Sequence, residues 1–134
     1  MFALDTNTVI YYFKGIGGVA ERLLAIPPHN VALPSIVVYE LGRGVLSSKS
    51  PKRREQFTTF LDAFAILPLG RAEAAAAAQL RETLEQRGLP IGPLDVLIAG
   101  TALVHGATLV TRNLREFSRV EGLKVENWYD ESES

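Results

Sequence analysis

Phe2-Ala-Leu-Asp-Thr-Asn-Thr-Val-Ile10 is the stretch from which the rest of the chain can be read. Three apolar residues run into an acid, two threonines flank an asparagine, and then apolar residues resume. This is the pattern of a short buried strand over Phe2 to Leu4 that delivers the chain at Asp5 into a helix over residues 6 to 14. A similar sequence of events follows. Val31 to Leu33 reads as a strand, and Pro34-Ser35 opens a helix through about Leu46 that carries Glu40 inside Ile36-Val-Val-Tyr-Glu-Leu41. Further on, Pro93-Leu-Asp-Val-Leu-Ile-Ala99 places Asp95 at the start of an apolar helix that runs to about His105. Ionised groups are rarely buried without a partner because desolvation is costly. Acids embedded repeatedly in core-forming sequence therefore demand a cation or a proton.

The segments between these stretches complete the alternation. Gly15, Gly17 and Gly18 break the first helix, Val19 to Ile26 forms a second, and Pro27-Pro28 stops it. After a loop over Ser47 to Pro51, the helix Lys52 to Phe64 aligns Phe57, Phe60, Leu61 and Phe64 on a core face, with Asp62 on its polar side. Ala65 to Leu67 reads as a third strand, and Arg71 to Arg87 as an alanine-rich helix closed by Gly88. Thr108 to Thr111 is a further strand, and Val125 sits in a last short one. Strands alternating with helices predict one α/β domain over residues 1–134, a three-layer α/β/α sandwich with a short, mainly parallel sheet and right-handed crossovers.

Composition narrows the class. The 134 residues are 47% hydrophobic and 22% charged, the balance of a globular domain with a real core. No basic residue precedes the first apolar run and Asp5 interrupts it, which argues against a signal peptide; no run is long enough to span a membrane. Without cysteine, neither disulfides nor thiolate-bound zinc are available, and a cytoplasmic location is expected. The net charge of −1 hides a basic body, because Asp130-Glu-Ser-Glu-Ser134 carries three acids and leaves the remainder at +2. Residues 130–134 are expected to be a flexible acidic tail. Lys49, Lys52, Arg53 and Arg54, and separately Arg112, Arg115 and Arg119, suit either phosphate contacts or a solvated face.

In an open parallel sheet the strands end at one edge, where such folds bind ligands. Asp5, Glu40 and Asp95 all fall near that edge, as do Asn113 and Glu116 after the strand ending at Thr111. Each also has a plain structural reading: Asp5 as a turn or cap, Asp95 as a first-turn acid favoured by the helix dipole, Glu40 as the partner of a buried Arg43 or Arg22. Taken together they favour a carboxylate cluster for a hard divalent cation. His29, beside the Pro-Pro turn, and His105, at a helix end, have no zinc-ligand spacing, and neither a serine elbow nor a phosphate loop is present.

Leu4-Asp-Thr-Asn7, Val38-Tyr-Glu40, Gly88-Leu-Pro-Ile-Gly-Pro-Leu-Asp95-Val-Leu-Ile-Ala-Gly100 and Leu109-Val-Thr-Arg-Asn-Leu-Arg-Glu-Phe117, in this order, resemble the PIN-domain ribonucleases, specifically the VapC toxins of VapBC toxin–antitoxin pairs. The likeness extends to Gly122-Leu-Lys-Val-Glu-Asn-Trp128. It implies a PIN-like fold and a Mg²⁺-dependent endoribonuclease, with Mn²⁺ able to substitute, acting on structured RNA, often tRNA. It also implies a homodimer held inactive by a VapB antitoxin, for which Val9, Tyr12 and Phe13 offer either a docking face or ordinary core. By position, Asp5, Glu40 and Asp95 match three acidic site residues of the family, as catalytic groups and metal ligands. The fourth corner departs from the usual aspartate: Asn113 stands there, with Glu116 as the nearby acid. Asn7, Thr111, Arg112 and Asn113 are the expected substrate-side residues. The rival readings are a catalytically degenerate PIN module that binds RNA or protein, and a haloacid-dehalogenase-type phosphatase, which would need an acid where Asn7 stands.

Overall fold

Phe2–Leu4 is β1, and its last two residues are completely buried, which is why the segment is apolar throughout. Asp5 leaves the strand in an extended conformation and caps α1, Thr6–Lys14, by accepting the Thr8 backbone N–H. The computed structural model describes residues 1–130, and the element order continues the alternation. α2 is Val19–Leu24, a 3-10 turn spans Pro28–Asn30, β2 is Val31–Pro34 and α3 is Ser35–Ser48. α4 is Pro51–Asp62, β3 is Ala65–Leu67, α5 is Arg71–Gln86 and α6 is Pro93–Val104. β4 is Thr108–Val110, α7 is Leu114–Phe117 and β5 is Val125–Glu126.

The five strands pair in the order β3-β2-β1-β4-β5, every pair parallel. The chain steps outward from β1 to β3, then crosses back to lay β4 on the other flank of β1. Right-handed crossovers consequently place α1 to α4 on one face and α5 to α7 on the other, the expected three layers. Between β1 and β4 the direction of winding reverses, with Phe2 opposite Thr108 and Leu4 opposite Val110. Strand ends at such a reversal leave a crevice that adjacent loops do not fill.

One helical layer is tied by aromatic contacts, with Phe60 meeting Tyr12, Phe13 and Phe64 at centroid distances of 5.3, 5.1 and 4.9 Å. Asp62 is exposed, as its helical position requires. Val9 is fully buried and belongs to the core; of the expected docking face only Phe13 is exposed, at 41%, with Tyr12 half-buried. In the other layer α5 and α6 approach so closely that a Cβ on Gly100 would lie 2.8 Å from the Ala77 backbone nitrogen. Glu73 Oε1 accepts the Gly70 N–H at 2.8 Å, and Oε2 stands 3.3 Å from the buried His105 Nε2 without hydrogen-bond geometry.

Several boundaries differ from expectation. α6 starts at Pro93, whose fixed φ suits a first helical position, so Asp95 sits within the first turn rather than opening it. α3 runs through Ser48 and closes with Lys49 at φ 55°, after which Ser50 caps α4; the loop expected over 47–51 shrinks accordingly. α2 stops at Leu24, α4 at Asp62 and β4 at Val110. The single-turn helix α7 was not anticipated. Of the acidic stretch from residue 130, Asp130 accepts a hydrogen bond from Asn127 Nδ2 at 2.7 Å; residues 131–134 lie outside the described residues. Among the described residues no helix is long and apolar enough to cross a membrane.

Candidate active site

Asp5 is fixed from three sides. Its backbone N–H donates to the Val110 carbonyl at 3.1 Å, tying the ends of β1 and β4 together, and its Oδ1 accepts the Thr8 N–H at 2.8 Å. Burial pushes the Asp5 carboxyl above the ordinary carboxylate range. The Thr8 and Thr111 hydroxyls and the Thr8 N–H work against that shift, and the nearby Glu40 charge adds to it. The Thr8 hydroxyl also reaches the Val110 carbonyl at 3.1 Å.

Glu40 lies half-buried on α3 and is reached from α1, where the Thr6 hydroxyl donates to Oε1 at 2.7 Å. Among the described residues no arginine pairs with it, as a structural role would require. Arg22 instead stands 4.0 Å from Glu126, and Arg43 is exposed. Asp95 projects from the first turn of α6 and is pushed up to about 6, first by desolvation and then by the charges of Glu116, Asp5 and Glu40. The glycine at position 92 leaves it room, since a Cβ there would fall 2.9 Å from Asp95 Oδ2.

The fourth corner is shared. Asn113 N–H donates to Thr111 Oγ1 at 3.0 Å, and Asn113 Nδ2 donates to Glu116 Oε2 at 3.0 Å. The amide thus holds the glutamate whose charge Asp95 feels. The charges of Glu116, Asp5 and Glu40 thus all reach Asp95, and Asn113, itself held by Thr111, braces Glu116. Asn7 stays exposed on the first turn of α1, and Arg112 turns to the C-terminal segment rather than to the acids. Thr6 and Thr8 were missed as site residues, because hydroxyls after a capping acid look like helix-start chemistry. The Thr6 contact across 34 positions and the Thr8 contact across 102 reveal otherwise.

A PIN-domain family model matches residues 2–123. The chain is 37% identical over 131 residues to Ribonuclease VapC2 of Rickettsia felis, covering 96% of this chain and 98% of that one. It is 34% identical over 128 residues to the tRNA(fMet)-specific endonuclease VapC of Salmonella typhimurium, covering 95% and 97%. The structure of VapBC2 from Rickettsia felis bound to a promoter DNA fragment superposes with a TM-score of 0.87 at 35% identity, covering 95% and 98%. The chain belongs to the VapC family of PIN-domain ribonucleases.

VapC membership sharpens the question of a metal ion, since PIN-domain nucleases are typically metal-dependent. Among the described residues no Lys or Arg pairs with any of the four acids. Nor, among the described residues, do three acid or imidazole groups form a ready-made cage. An open, all-oxygen donor set with uncompensated negative charge suits Mg²⁺ or Mn²⁺, because Mg²⁺ keeps several waters and takes only one or two protein carboxylates. The residues fit such an ion.

Proposed function

We propose that this VapC-family chain is a Mg²⁺-dependent endoribonuclease, the toxin of a toxin–antitoxin pair, that hydrolyses phosphodiester bonds in structured RNA such as tRNA. The observation that carries the reading is the gathering of Asp5, Glu40, Asp95 and Glu116 at the winding reversal, with Asp95 pushed up to about 6 first by burial and then by these acidic neighbours. The Salmonella typhimurium relative, named for tRNA(fMet), supports the substrate class.

A bound divalent cation would neutralise the pocket for an incoming phosphate, acidify water and stabilise the departing oxygen. Asp5 and Asp95 would hold it, with Glu40 ordering a water beside it. Asp5 is the rigid member, fixed by α1 and by the Val110 carbonyl, and it would orient the attacking water. Glu116, steadied by Asn113, supplies the fourth acid. Thr111, Asn113 and Asn7 offer hydrogen bonds to the sugar-phosphate strand, and Arg112 a cation. A VapB-type antitoxin is the proposed partner, and a homodimer the proposed assembly. Beside Glu40 a groove of about 340 Å³, walled by Phe13, Lys14, Leu41, Arg53 and Phe57, can take a peptide with apolar and charged residues.

Incubating the purified protein with total RNA, with and without Mg²⁺, and mapping new 5′ ends tests the reading. Cleavage should require Mg²⁺ or Mn²⁺. Asp5→Asn should reduce it by roughly 100-fold or more, since even residues that merely support metal ligands cost 10–100-fold when lost. A folded Asp5→Asn protein with full activity would refute the assignment.

A further inference from the structure

Arg112 follows the pocket residue Thr111, yet its guanidinium carbon stands 3.6 Å from the centroid of the Tyr129 ring and 5.8 Å from that of Tyr11. Its Nε lies 3.6 Å from Asp130 Oδ2, and the side chain remains 44% exposed. Tyr11 and Tyr129 meet edge to face at 4.7 Å. The segment supplying Tyr129 and Asp130 is itself held closely. Asn127 Oδ1 accepts the N–H groups of Tyr129 and Asp130 at 2.9 and 3.2 Å. Trp128 is buried against Phe2 at 5.2 Å. The Tyr129 carbonyl accepts the Gly18 N–H at 3.0 Å. Gly17, at φ 67°, comes so near that a Cβ would fall 2.6 Å from the Tyr129 ring.

An arginine stacked on an aromatic face loses little further freedom when it binds, and its planar fork matches a phosphate. Asp130 stands at the Nε edge, and the exposed remainder leaves N–H donors for a ligand. Its backbone lies between Thr111 and Asn113, so the side chain leaves the main chain beside the site, turns toward Tyr129 and Asp130, and neutralises none of the four acids. A polyanionic strand entering an acidic pocket needs positive charge along its path, outside the cation site itself. We infer that Asn127–Asp130 is a strap that positions Arg112, through Tyr129 and Asp130, to hold an RNA phosphate adjoining the one at the carboxylates. The inference rests on the ribonuclease reading and adds Tyr129 and Asp130 to it as positioning residues.

The test measures binding of a fluorescein-labelled tRNA by anisotropy across a KCl series at constant Mg²⁺, every variant carrying Asp5→Asn to suppress cleavage. Arg112→Gln should weaken binding several-fold and lower the slope of log K against log salt by about 0.7–0.9, the loss of one phosphate contact. Tyr129→Leu should weaken binding although it removes no charge, and should add nothing in the Arg112→Gln background. Arg112→Lys, at an exposed position that does not threaten folding, should keep the salt slope and still bind several-fold more weakly. An unchanged slope in Arg112→Gln, wild-type affinity in Arg112→Lys, or additive effects of Arg112→Gln and Tyr129→Leu would overturn the strap. If those results came with Mg²⁺-dependent cleavage by the wild-type protein, the ribonuclease reading would stand alone; absence of that cleavage would overturn the ribonuclease reading itself.

Discussion

Asp95 sits half-buried among like charges, and its raised titration, from 3.8 to about 6, sets a direction for stability. Between these values the folded chain binds a proton that the unfolded chain has already released. Stability therefore falls as pH rises through this window, and the whole penalty is present above about 6. Solvent screening at a half-exposed group leaves ~1 kcal/mol of it. In EDTA at pH 7.5, Asp95→Asn should thus raise Tm by ~3–5 °C, near pH 4 the two proteins should melt together, and in Mg²⁺ the variant should lose cleavage. A lower Tm for the variant at pH 7.5 would contradict this account. The acids were legible because a carboxylate in an apolar run is conspicuous: Asp5, Glu40 and Asp95 needed nothing beyond their neighbours in sequence. Thr6 and Thr8 were not. A hydroxyl's partner depends on which distant element the fold brings near, as Thr6 finds Glu40 only once α1 packs beside α3. Val9, which its sequence leaves open between a docking face and ordinary core, is taken completely by the core.

Elements carry these residues, and α6 carries the most sensitive one. Its apolar length was readable from composition, and its true start at Pro93 follows from proline's fixed φ. Its face toward α5 depends on Gly100, where a Cβ would meet the Ala77 backbone at 2.8 Å and backbone cannot yield as a side-chain tip can. Gly100→Ala should therefore cost ~1–3 kcal/mol as overpacking, even though alanine is the better helix former. Urea denaturation would show a lowered midpoint at unchanged m-value; an equal or higher midpoint would mean that α5 slides away freely. Long helices and the caps at Asp5 and Gly88 were legible from period and residue type. The four-residue α7 was not, since a single turn has no period to detect, yet it orients Glu116. The α3–α4 junction misled for a related reason. Ser47, Ser48 and Lys49 look like loop, but a helix ending with Lys49 at φ 55° needs no glycine when the next cap, Ser50, follows at once.

At the scale of the molecule, alternation of strands and helices predicted a parallel sheet, but not the order β3-β2-β1-β4-β5. Strand order is a matter of nonlocal pairing, and it alone puts the end of β1 beside the end of β4 and so joins Asp5 to Thr111. The result is a sheet whose open edge gathers negative charge without an internal counter-charge among the described residues. Such an edge is the least favourable part of the folded state and the part a cation can repair. A ligand that binds only the folded chain stabilises it by RT ln(1 + [L]/Kd), about 2.7 kcal/mol at a hundredfold excess over Kd. Thermal scans should show Mn²⁺ raising Tm by on the order of 10 °C over EDTA at that excess. The rise should grow with Mn²⁺ concentration and be greater at pH 7.5 than at pH 5, where a proton on Asp95 competes with the ion. Asp5→Asn should remove most of it, because that change takes away the one carboxylate whose position both strands fix. A Tm indifferent to Mn²⁺ in the wild-type chain would mean that the four acids are balanced by their own protons and that no cation completes the edge.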